Sequence, residues 1–189
     1  PEEAPTAGAI GVIGKPEIKA VEIIPGENLK SLNGKFLQNA KLYNSASASE
    51  KKIVQKNLEI IAERRKELLL KEIEKNPENF LLNALPGIRN ILPKEIQGNF
   101  EEIVEVEGEL TVLHADDFEG KKSRFIYLLE EIENGRSAGR KYNLHFAKEP
   151  LTSLSGSVIS AKGIALGNEL VLAEGGRPST RRIKNVTVN

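Results

Sequence analysis

From Val104 to His114 the chain alternates without interruption. Val104, Val106, Gly108, Leu110, Val112 and His114 fall on one side, and Glu105, Glu107, Glu109 and Thr111 on the other. Successive side chains of an extended strand point to opposite faces, so this pattern specifies a strand with one buried and one wet face. Upstream the period is different. From Ser47 onward Val54, Leu58, Ile61, Leu68, Leu69 and Ile73 recur at helical spacing, with Lys, Glu and Arg elsewhere. The switch near Phe100 divides the chain into a helical unit and a β unit.

Punctuation refines the helical unit. Ser47 and Glu50 have capping-box spacing, and Asn76-Pro77 reads as an N-cap followed by proline at the first helical position. The long helix therefore ends near Asn76 and a second runs to Leu85. Two short pieces follow, Ile88 to Leu92 and Pro93 to Gly98. Ahead of the helices, Ile18 to Ile24 reads as a short strand closed by Pro25-Gly26, and the stretch GKFLQNAKLYN stays ambiguous. Residues 1–16 are a Pro/Gly/Ala-rich tail, in which Ala9 to Gly14 has the character to add as a strand to a sheet edge.

In the β unit a second strand runs from Ser123 to Ile132, with Phe125, Tyr127 and Leu129 on one side and Ile126 and Leu128 on the other. A Gly/Asn/Ser turn leads to a third, where Tyr142, Leu144 and Phe146 alternate with Asn143 and His145. The stretches LSGSVISAKGIAL and ELVLAE, joined by Gly167-Asn168, supply two more. Five antiparallel strands, the first two unusually long and the first able to bend at Gly108, suit a small closed barrel. The last two with their glycines resemble the end of an OB-fold, although the helix usual between strands three and four would be only KEPLTSLS. The fold class expected is α+β: a tail (1–16), a mainly helical unit with a short N-terminal strand (17–100), an OB-like five-stranded antiparallel β-barrel (101–174) and a basic linker (175–189).

Composition narrows the chemistry. Among 189 residues Lys+Arg and Asp+Glu both number 27, so the formal net charge is zero and nothing global favours nucleic acid or an anionic membrane. Cysteine is absent, which excludes disulfides, thiolate metal sites and a cysteine nucleophile. No apolar run reaches the roughly 18 residues of a membrane span. Methionine is absent even at position 1, and RRIKNVTVN reads as the start of a strand. The expectation is a processed or engineered piece of a longer product, with PEEAPTAGA resembling the tail left after signal-peptide removal.

No H-E-x-x-H, G-x-S-x-G, P-loop, dinucleotide-binding or EF-hand motif is present, so no catalytic residue and no cofactor are assigned. The stretch LHADDF offers the sharpest alternative. His114, Asp116 and Asp117 could hold a metal ion together with His145, provided the first and third strands are neighbours. Asp-rich turns greatly outnumber metal sites, so the expected reading is a strand end with Asp116 and Asp117 capping the turn, and no metal. Glu101-Glu102 and Glu130-Glu131 read as solvated surface runs. Phe125, Tyr127, Tyr142 and Phe146 are expected in the core rather than on a stacking platform, with Arg124, Arg140 and Lys141 too few to make a nucleic-acid groove. Arg177, Arg181, Arg182 and Lys184 are unbalanced by acids and are the interaction residues expected.

Residues 65–185 resemble the region ahead of the catalytic domain in secreted gametolysin-like zinc metallopeptidases of bacteria. The resemblance rests on the rhythm ALP…LP and on GELTVLHADDF, YNLHF and LSGS. It implies a secreted or cell-surface, non-catalytic pro- or accessory region that folds, masks or positions a downstream domain of the same parent chain, with the H-E-x-x-H unit beyond Asn189. Two other readings stand beside it. One is a cell-surface structural or interaction subunit that assembles through strand addition by its N-terminal tail. The other is an OB-type ligand-binding module for sugar or single-stranded nucleic acid.

Overall fold

The structure, a computed structural model, describes residues 18–117, 122–148, 155–174 and 177–178. Helices come first, as α1 (Leu29–Ser45), α2 (Ala48–Lys75), α3 (Pro77–Asn83), a 3-10 helix (Pro86–Ile91) and α4 (Lys94–Gln97). Strands β1 (Glu102–Asp117), β2 (Lys122–Glu133), β3 (Arg136–Phe146), β4 (Ser157–Leu166) and β5 (Glu169–Leu172) follow, with a two-residue β6 (Arg177–Pro178). The protein is thus α+β, with N-terminal helices and a five-stranded sheet to which β6 adds a short edge.

Local signals start and stop the helices. Asn28 caps α1 by accepting the Ser31 N–H at 2.9 Å, and Leu29, Leu32, Phe36 and Asn39 form its buried stripe. At α2 the Glu50 carboxylate accepts the Ser47 backbone N–H at 2.8 Å and the Ser47 hydroxyl at 2.5 Å. Asn76 closes α2 and opens α3, where its side chain accepts the Asn79 N–H ahead of Pro77. These helices bury Leu32, Phe36, Val54, Leu58, Ile61 and Phe100 in a common core.

Ile18 to Ile24 belongs to no sheet among the described residues, contrary to the strand expected there. A side chain takes the place of a partner strand. Asn57 of α2 accepts the Val21 N–H and donates to the Lys19 carbonyl, each at 2.9 Å, while Lys35 donates to the Glu22 carbonyl at 3.0 Å. With those backbone groups satisfied, Ile18, Val21 and Ile23 pack on the helical core. Glu101, expected to be solvated, is fully buried against the equally buried Arg65 of α2 at 2.8 Å. Arg65 also donates to Asn33 of α1 at 2.6 Å and stacks its guanidinium 4.8 Å from the Phe100 ring.

Strand β1 pairs antiparallel with β4 over Glu102–Leu110 and with β2 over Gly108–Asp117. Strand β2 pairs with β3, β3 with β5, and β5 with β4, so the pairings return to β1. The expectation of an entirely antiparallel set is corrected at one joint, because β3 and β5 run parallel, Asn143 opposite Glu169 through Phe146 opposite Leu172. The chain crosses from β3 to β4 before forming the β4–β5 hairpin, which brings β5 back in the direction of β3. Gly108 sits where β1 passes between its two partners. A Cβ there would lie 2.5 Å from the Glu130 carbonyl, so only glycine allows the approach.

Inside the sheet lie Val106, Leu110, Leu129, Tyr142, Leu144, Ile159, Leu170 and Leu172. On its other side Ile164, Leu166 and Val171 meet Leu69, Ile73 and Phe80 of the helices. The short β5 is therefore buried on both faces, which explains its unbroken apolar run.

Candidate functional site

Strand lengths differ in a way that creates a surface. Strands β1 and β2 have 16 and 12 residues, β4 and β5 only 10 and 4. Strand β4 begins at Ser157, opposite Leu110. Past that point Gly156 donates to the Leu110 carbonyl at 2.7 Å and the Ser155 hydroxyl accepts the Val112 N–H at 3.2 Å. From there β1, β2 and the end of β3 carry the inner-facing pattern onward with no opposing strand among the described residues.

On this overhang four rings follow one another. The centroids of His114 and Phe125 are 5.0 Å apart, those of Phe125 and Tyr127 6.5 Å, and those of Tyr127 and Phe146 5.0 Å. Tyr127 and Phe146 are half-buried against the sheet core and meet edge to face, at 78°. Phe125, expected in the core, is 61% exposed. It keeps the inward register, but the wall that would cover it has ended. Tyr142 is buried as expected, and Arg140 lies 4.7 Å over its ring. Burial pushes the Tyr142 phenol above its ordinary range, and its hydroxyl finds no hydrogen-bond partner among the described residues.

The metal candidates do not assemble as the sequence allowed. Strand β2 lies between β1 and β3, so the two histidine-bearing strands are not neighbours there. The imidazoles also face opposite ways. His114 stands on the side of Phe125. His145 lies between Leu144 and Phe146 and therefore points to the other face. Its Nε2 is 2.5 Å from Glu169 Oε2, and the other oxygen of that carboxylate accepts from Asn143 Nδ2 at 2.8 Å. Asp116 and Asp117 pair in the backbone with Ser123 and Lys122, while their side chains lie outside the described residues. Among the described residues no three His, Cys, Asp or Glu come together in a group that could hold a metal ion. Of the basic residues, Arg177 is placed by its backbone opposite Ser160 of β4. Arg181, Arg182 and Lys184 lie outside the described residues, as does the tail at 1–16.

A second surface lies where the helices meet the outside of the sheet. A cleft of about 760 Å³ is lined by Leu81 of α3, Ile103 of β1, Ile164 of β4 and Val171 of β5, and by Ala173 and Glu174. Ile103 on its wall is 65% exposed. Lys162 and Glu105 pair across β4 and β1 at 3.4 Å on the same lining. Sequence reasoning missed this cleft because it belongs to no single element. Ile103 carried the one legible hint, being an apolar residue on the Glu-bearing face of β1.

No family model, curated protein or solved structure matches this chain. No described helix is long and apolar enough to cross a membrane.

Proposed function

We propose that the chain is a non-catalytic accessory module of a secreted or cell-surface metallopeptidase-like protein, one that seats the domain following it. The apolar cleft carries this reading. Ala173 and Glu174, the residues by which the chain leaves β5, are themselves part of its lining. A domain tethered through the basic stretch from Arg177 to Lys184 would meet the cleft at high effective concentration, so modest apolar contact would suffice to hold it. The exposed Ile103 and its charged Lys162–Glu105 rim have the apolar-centre, polar-rim make-up of a protein-binding surface.

An OB-like barrel is the architecture we infer for the β unit. It is supported by the cyclic order β1-β2-β3-β5-β4 with its return to β1, and by the close approach of β1 to β2 that Gly108 permits. Sequencing the parent reading frame past Asn189 tests the function. An H-E-x-x-H unit is expected downstream, and a frame that stops or continues without a metal-binding motif overturns the proposal. If the unit is present, Ile103→Lys is expected to weaken its association with residues 1–189 in calorimetric titration. Unchanged affinity would remove the cleft from the reading.

A further inference from the structure

The rings of the overhang of β1, β2 and β3 contribute nothing to the lining of the cleft, and their chemistry is their own. The inner end of their row is fixed, because Tyr127 and Phe146 interlock edge to face and are packed against the core residues of the sheet. Its outer end is open, with Phe125 61% exposed and His114 also exposed, their rings tilted 32° to each other. Exposed aromatics set on paired strands lose little freedom on binding, so the surface is organised before a ligand arrives. Strand β4 pairs with β1 only from Ser157, opposite Leu110, so the described β4 ladder stops short of Val112 to His114 and the open face follows from strand length.

Charge selects the ligand class. Stacked nucleobases bring phosphates, which need a cationic groove alongside the rings. Here the formal net charge is zero, and the ribbon that carries the rings sets Glu109 of β1 directly opposite Glu130 of β2 on its reverse face. Arg124 is the one cationic residue in the strand stretch 124–127 that bears Phe125 and Tyr127, and by alternation it points away from them. A neutral ligand with flat apolar faces and polar edges fits this arrangement, and the C–H faces of pyranose rings have that character. We infer that the His114–Phe125–Tyr127–Phe146 row is a binding track for a neutral oligosaccharide, with Phe125 as the exposed stacking residue.

The test uses the whole chain, residues 1–189, labelled for aromatic and amide NMR. It is titrated separately with cellohexaose, chitohexaose, laminarihexaose and mannohexaose, and with oligo(dT) at low salt. At least one sugar should shift the rings of Phe125, Tyr127 and Phe146 saturably. Phe125→Ala should weaken that binding by about tenfold while leaving the remaining resonances in place, the size of effect expected for one aromatic contact. Phe125→Trp should retain it. The inference is overturned if no sugar moves these rings, if Phe125→Ala binds as well as the parent chain, or if the rings respond to oligo(dT) in place of the sugars.

Discussion

The helical core and the sheet core solve the same problem by different means. The sheet satisfies its backbone through pairing that returns to its first strand, and its interior is apolar except for Tyr142. The helical unit buries Arg65, Glu101, Asn39 and Asn57. Two of them, Asn57 and Arg65, serve backbone that no ladder reaches, while Glu101 pairs with Arg65 and Asn39 bonds back to the Lys35 carbonyl within α1. Asn57 holds the segment ahead of α1 at Lys19 and Val21, Arg65 donates to the Asn83 carbonyl at the end of α3, and Asn33 donates to the same carbonyl from α1. Asn57 and Arg65 reach groups where regular secondary structure runs out, because an orphaned buried N–H or C=O costs as much as a lost hydrogen bond.

This contrast can be broken in order of expected size. Arg65→Ala leaves Glu101 buried without its counter-charge and should destabilise the protein by about 3–5 kcal/mol in urea denaturation. Adding Glu101→Leu should recover a large part of that loss, since the penalty lies in the isolated charge and not in the absence of the pair. A double variant no better than the single one would show that the remaining bonds of Arg65, to Asn33 and Asn83, dominate. In the sheet the corresponding weak point is steric. A Cβ at Gly163 would collide with the Val171 carbonyl and crowd Leu170 and Leu172, so Gly163→Ala should cost about 1–3 kcal/mol. A melting curve unchanged by that substitution would mean the β4–β5 approach is looser than described.

The smallest effect concerns pH, and in the helical unit it rests on Glu27. A hydrogen bond from Ser31, and another from Lys35, hold the Glu27 carboxylate below its ordinary value of 4.5. A carboxylate with a lowered folded-state pKa contributes stability that is present above the unfolded value and lost as pH falls through the folded one. Glu27→Gln should therefore narrow the gap in melting temperature between neutral pH and pH below 4.5. An identical acid dependence in parent and variant would assign the effect elsewhere.

Much of the fold was legible because it is local. Ser47 with Glu50, Asn76 with Pro77 and the alternation of β1 each act within a few residues, and each element formed where expected. GKFLQNAKLYN, ambiguous in sequence, lies in α1, while the misreadings at Ile18 to Ile24, Glu101 and Phe125 are non-local. Ile18 to Ile24 has strand character, but its partner is the side chain of Asn57, 36 positions from Val21. Glu101 looks like its neighbour Glu102 in sequence, yet Glu101 is fully buried against Arg65 of α2 while Glu102 is half-buried beside Arg89 and Arg140. Phe125 obeys the inward period of β2, and its exposure is decided by where β4 begins. The same distance limit hid the cleft, while the separation of His114 from His145 followed once β2 was seen to lie between their strands.

Strand β5 carries a further consequence. Its four residues place Leu170 and Leu172 among the side chains inside the sheet and Val171 among those of the helices. Neither core can lose its packing without disturbing the other through the same short segment. The two units, so different in their periodicity, should melt in one cooperative step, and the amide of Val171 should exchange with solvent only when the whole molecule opens.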